Sequence, residues 1–136
     1  MSDKQIITTI ETIFHKNYDL LMKLIPNVEE IEEKLILYSG NLMELHISIL
    51  SRDESEMILS MGHYFLQNDD LVPDPEVVIR IDSLKKIAEV LSYKDQYLFS
   101  VVYPSKSMVD TESRDSLNSF LNLWLKRMLT EKYNRK

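Results

Sequence analysis

The stretch HYFLQNDDLVPDPEVVIRID, residues 63–82, gathers the side chains best suited to chemistry. Asp69, Asp70, Asp74 and Glu76 fall within eight positions, with His63 just upstream. Carboxylates at that density offer the oxygen ligands a calcium ion takes, and one or two would serve a magnesium ion that also binds substrate phosphate. A metal-dependent hydrolase acting on a nucleotide or phosphoester through residues 69–76 is the catalytic reading. The spacing argues against it. A calcium loop of the EF-hand kind sets ligands at alternate positions and needs glycine at its sharp turn. Here Asp69 and Asp70 are adjacent, and Pro73 and Pro75 stiffen the backbone around Asp74. Gln67-Asn68-Asp69-Asp70 reads as turn chemistry, because Asn and Asp bond to their own backbone and tolerate unusual dihedrals. The expectation is a solvated connection between strands, with no metal and no other cofactor. His63 should face the core near Met43 and bond to a neighbour.

No other segment carries a catalytic motif. His15, His46 and His63 lack HExxH spacing. The absence of cysteine excludes thiol catalysis, disulfides and zinc–thiolate sites. Two glycines are too few for a phosphate-binding loop or a nucleophile elbow. The residues suited to recognition are His46, Arg80, Glu89 and Arg127. Arg80 and Glu89 make either an exposed cross-strand ion pair, worth ~0–1 kcal/mol, or a ligand-binding pair with His46 and Glu44 nearby. In LKRMLTEKYNRK, Lys126, Arg127, Lys132, Arg135 and Lys136 stand against Glu131. Cations there offset the dipole of a helix end, or dock an acidic partner.

The elements that position these residues follow from hydrophobic period. A first helix runs from about Asp3 to Ile25, with Ser2 and Gln5 at capping-box spacing. Its stripe is Ile6, Ile10, Ile13, Leu20, Leu21 and Leu24, broken by Asn17, and Pro26 ends it. Glu29, Glu30, Glu32 and Glu33 mark a solvated connection. From Lys34 to Tyr103 the period becomes two. Met43, Leu45, Ile47 and Ile49 alternate with Glu44, His46 and Ser48, and beyond the polar turn SRDES Met57, Leu59, Met61, His63 and Phe65 alternate with Ile58, Ser60, Gly62 and Tyr64. An odd loop at Arg52 to Glu54 sets Leu45 opposite Met61, Ile47 opposite Leu59 and Ile49 opposite Met57. A second hairpin turning at Ser83-Leu84 sets Val77 opposite Val90, Ile79 opposite Ala88 and Asp82 opposite Lys85, with Arg80 diagonal to Glu89. Tyr97 to Val102 reads as a last strand. Leu117, Phe120, Leu121, Trp124, Leu125, Met128 and Leu129 form the apolar stripe of a helix from about Thr111 to Tyr133. The expectation is an α+β fold: an N-terminal helix, an antiparallel meander of five or six strands, and a long C-terminal amphipathic helix packed on one sheet face.

Composition bounds the setting. The 136 residues fit a single domain, 1–136. A formal net charge of −6 counts against nucleic acid, whose phosphates draw basic surfaces. The first residues, MSDKQIITTIETIF, lack the unbroken apolar run of a secretory signal, and no stretch approaches the ~20 apolar residues of a membrane span. A soluble cytoplasmic protein is expected.

IRIDSLKKIAEV, YPSK and NSFLNLWL occur in an order that resembles the bacterial domain-of-unknown-function family 1249, mainly proteobacterial. The resembling positions are Arg80, Ala88-Glu89-Val90, Tyr103-Pro104 and Asn118-x-Phe120-Leu121-x-x-Trp124-Leu125, with LMKLIP at the end of the first helix. The resemblance implies no activity, cofactor or catalytic residue. The leading functional expectation is a non-enzymatic accessory domain that binds a protein partner through a sheet face or helix. Beside it stand the metal-dependent hydrolase and a chaperone for secreted effectors. Whether the chain forms a homodimer is left open.

Overall fold

The computed structural model describes residues 3–136, with side chains from Thr12 onward. The expected Ser2 cap lies outside the described residues, as do the side chains of Ile6 and Ile10. Helix α1 spans Asp3–Leu24. Its last turn is continued by the Ile25 N–H, which donates to Leu21 O at 2.8 Å before Pro26 removes the next donor. A single 3-10 turn at Val28–Glu30 follows. Val28 and Ile31 are buried there, while Glu29, Glu30, Glu32 and Glu33 face solvent.

Six strands make one sheet in chain order: β1 Lys34–Leu37, β2 Leu45–Arg52, β3 Glu56–Gln67, β4 Asp70–Asp82, β5 Ile87–Lys94 and β6 Phe99–Val101. Every pairing is antiparallel. Helix α2, Thr111–Thr130, closes the order. Its N-cap is Asp110, whose carboxylate accepts the Ser113 N–H at 3.0 Å and is thereby held below the ordinary carboxylate range. Beyond α2 the chain returns to β1, where Tyr38 and Asn134 exchange backbone bonds of 2.8 and 3.0 Å.

Both helices lie on one face of the sheet. Leu21, Leu24 and Ile25 meet Leu121, Trp124, Leu125 and Met128 over Ile47, Leu59, Met61, Ile79 and Val90 in a single cluster. Burying each such side chain contributes roughly 1.5–3 kcal/mol. Asn17, which interrupts the α1 stripe, is fully buried and has a partner on α2. Its Nδ2 donates to Asn118 O at 3.0 Å, and its Oδ1 accepts from Asn122 Nδ2 at 3.0 Å. Asn118 Oδ1 in turn accepts the Val90 N–H of β5 at 2.9 Å. Three asparagines therefore tie both helices to the sheet.

Register departs from expectation in both hairpins. Ile47 pairs Met61 and Ile49 pairs Leu59, two residues from the expected partners. The cause is a tight turn at Asp53–Glu56, closed by Asp53 N–H to Glu56 O at 2.9 Å, with Leu50 bulged between Ile49 and Ser51. A slip of two keeps every side chain on its face. The second hairpin turns over Ser83–Lys86 instead of Ser83-Leu84, because Asp82 Oδ1 accepts the N–H groups of Leu84 and Lys85, both at 3.0 Å. Lys86 completes the turn at φ 56. Asp82 thus pairs Ile87, Ile81 pairs Ala88, Ile79 pairs Val90, and Arg80 lies directly opposite Glu89. Leu91 is bulged, so Val77 pairs Tyr93. Of the acidic stretch only Asp69 lies in the connection, a turn confined to Asn68 and Asp69; Asp70, Asp74 and Glu76 belong to the first half of β4.

Candidate functional site

On the sheet face away from the helices, Arg80 and Glu89 form an ion pair whose acid is 5 % exposed. Arg80 Nε donates to Glu89 Oε1 at 2.9 Å, and Nη2 donates to the same oxygen. Tyr103 Oη donates to the other oxygen at 2.7 Å, and the guanidinium stands 5.6 Å from the Tyr103 ring centroid. Burial works against the Arg80 charge, but the bond and charge of Glu89 outweigh it and hold the guanidinium above its ordinary range. Burial first, then the bond to Glu89, pushes Tyr103 up to about 12. Beside this triad Leu91, Ser92, Phe99, Val101, Ser105 and Lys106 line a shallow groove. Tyr103 was legible only as a strand end. Its role follows from the return of the chain after β6 and left no local signal.

His46 is not part of this group. It stacks edge-on against Tyr64 at 5.7 Å and lies 3.2 Å from Glu44. Tyr64 Oη donates to Glu76 Oε2 at 3.1 Å, and burial followed by the Glu76 charge and bond raises the phenol well above its ordinary value. One of the four acidic-stretch carboxylates is therefore a hydrogen-bond acceptor at the root of a ribbon. The others are spread along it. Asp69 occupies the turn at φ 67, Asp70 pairs Gln67, and Asp74 lies in a bulge between the Gly62–Glu76 and Tyr64–Pro73 pairs. With a rise of ~3.3 Å per residue, strand geometry holds such positions apart. Among the described residues, no three His, Asp or Glu side chains gather as a metal-binding group.

The ribbon itself is the feature the sequence hid. β2 pairs β3 only as far as Gly62, and β5 pairs β4 only as far as Glu76. Beyond them β3 and β4 continue together to Gln67 and Asp70. Leu66 and Leu71 are directly paired near the tip, 72 % and 70 % exposed. Two leucines flanking an Asn-Asp turn were the available signal; the prolines masked it.

Arg127 lies elsewhere, at a cleft between α2 and the ribbon root. His63, Asp74, Tyr93, Phe120, Trp124 and Tyr133 line it, with Arg127 and Glu131 at 2.8 Å from each other. His63 does take the core side: Nδ1 donates to Glu44 O at 2.9 Å, and the ring meets Trp124 edge-on at 5.7 Å. Phe120 and Trp124 stack at 5.6 Å. Glu131 pairs the one guanidinium, and Asp74 adds a further carboxylate to the lining.

Among the described residues no helix is long and apolar enough to cross a membrane. Comparison with known proteins finds a family described as Domain of unknown function (DUF6908), whose model matches residues 16–133. No curated protein and no solved structure matches. The resemblance to family 1249 is thereby corrected, since the matching family is a different one. The residues that carried it are joined by packing in this fold: Arg80 and Tyr103 both donate to Glu89, and Asn118 accepts from the Val90 N–H.

Proposed function

The chain belongs to the DUF6908 family, whose function is unknown, and on that premise we propose that it is a non-enzymatic accessory domain that docks another protein through the β3–β4 ribbon. The exposed Leu66–Leu71 pair carries this reading. A two-stranded ribbon is marginal alone in water, and leucines at its tip add nothing to the core cluster. Apolar side chains concentrated at a projecting point suit contact with a partner. The hydrolase alternative asks the carboxylates to converge, whereas Glu76 is bonded to Tyr64 and Asp69 lies in the turn. The chaperone alternative asks for a helix inserted between strands, whereas β1 to β6 follow one another in order. We read the compartment as cytoplasmic, on the absence of cysteine.

The test is affinity capture from the native host with the parent chain and with Leu66→Ser/Leu71→Ser. A protein retained by the parent and lost by the variant, at unchanged melting temperature, is the expected result. Identical captures by both chains would remove the ribbon from the reading.

A further inference from the structure

We propose that the free edge of β3 at Tyr64–Gln67 takes an extended, basic segment of another protein as an added antiparallel strand; this rests on reading the ribbon as the docking arm. The turn decides which backbone groups are free. Asn68 and Asp69 have φ of 53 and 67, the left-handed pair of a type I′ hairpin. Gln67 and Asp70, which flank it, therefore exchange both ladder bonds, and alternation points the N–H and C=O groups of Tyr64 and Leu66 outward. Among the described residues no backbone group outside the ribbon takes them: β2 ends its pairing at Gly62, and none bonds to Tyr64–Gln67.

The opposite edge is closed. There the outward positions are Leu71 and Pro73, and proline has no N–H to offer. Asp74 and Pro75 then bulge away from the ladder. Proteins blunt the edges they do not use, and this ribbon blunts one of two.

Charge selects the occupant. Asp69 and Asp70 are exposed at the tip, and Glu44 is exposed at the foot of the open edge, beside His63. A second copy pairing edge to edge about a two-fold axis would bring each tip to the other's foot, acid against acid. A strand with cations at alternate positions meets attraction at both ends, while its apolar residues lie beside Leu66. Strand addition supplies main-chain bonds and alternate side chains supply selection.

The probe is a capped peptide, Lys-Val-Lys-Thr-Lys-Val-Lys, titrated into the ¹⁵N-labelled full chain. Saturable amide shifts centred on Tyr64–Gln67 are expected. Binding should be about tenfold weaker when the ladder-facing peptide nitrogens are methylated, and again when glutamate replaces lysine. Asp69→Asn/Asp70→Asn should weaken it without moving the melting temperature. Absent shifts at Tyr64–Gln67, or equal binding of the methylated peptide, would overturn the proposal. So would a dimer in sedimentation that Leu66→Lys dissociates, since the second copy would then own the edge. If the peptide fails while Leu66→Ser/Leu71→Ser still abolishes capture, strand addition falls and the docking arm stands; if capture also persists, the arm falls too.

Discussion

Arg80 lies directly opposite Glu89 across β4 and β5, and its guanidinium closes on a carboxylate almost wholly removed from water. Arg80→Leu leaves that charge with Tyr103 alone. Breaking a fully buried pair costs about 3–5 kcal/mol; the Arg80 side chain is 35 % exposed, which reduces the expected loss to roughly 2 kcal/mol. Urea unfolding measures it. Arg80→Leu/Glu89→Leu should recover most of the loss, and a single variant as stable as the parent would make the pair an ordinary surface contact.

Gly62 marks the root of the ribbon. A Cβ there would stand 2.8 Å from Pro75 O and 3.1 Å from both Glu76 Cα and Tyr64 Oη. Backbone atoms cannot swing aside, so Gly62→Ala should cost ~1–3 kcal/mol through strain. The signature is local: amide exchange rises at Phe65 and Gln67, whose N–H groups point into the ribbon, before it rises at Leu59. Uniform exchange would place the strain elsewhere.

Asn118→Leu removes the acceptor of the buried Val90 N–H. An unsatisfied buried donor costs about 1–3 kcal/mol. Lower stability together with faster exchange at Val90 is expected; an unchanged urea midpoint would mean that the sheet relaxes to re-pair this group.

Trp124 is the single tryptophan, buried and stacked on Phe120. Trp124→Ala should cost roughly 3–5 kcal/mol by transfer and cavity terms, and Trp124→Phe clearly less. Thermal melts that leave the alanine variant within a degree or two of the parent would contradict its place as anchor of α2.

Alkaline pH should unfold the chain through its phenols. Tyr93 is pushed up to about 12 by burial and then by its bond to Asp95, and Tyr103 likewise by burial and Glu89. Folded values above the unfolded 10.0 mean that the fold favours the neutral phenol. The stability so contributed is fully present below pH 10 and is lost as pH climbs through about 12. Urea midpoints across that window, read with phenolate absorbance, check it. Tyr103→Phe should flatten the decline, and stability constant to pH 12 would reverse the argument.

Much of the fold was legible locally. Period 3.6 in Leu117–Leu129 and period two in Leu45–Ile49 and Met57–Phe65 report which side chains share a face, and a face is a property of neighbours along the chain. Asn17 was legible as an interruption of the α1 stripe, though not as the tie to α2 that it makes. The joining of Arg80 to Glu89 was half legible: the pair was evident, its direct opposition and its third member Tyr103 were not.

What the sequence by itself determined was therefore the class and order of elements and the side each residue faces. Register was decided by the tertiary structure, because a two-residue slip leaves the alternation unchanged and only the bulges at Leu50 and Leu91 distinguish the pairings. The ribbon was decided there too. Pro73 and Pro75 argue against a strand in isolation, but Pro73 takes an outward position that needs no donor, and Pro75 falls in a bulge. Long-range pairing of β3 with β4 made those positions harmless, and no property of residues 69–76 alone records that partner.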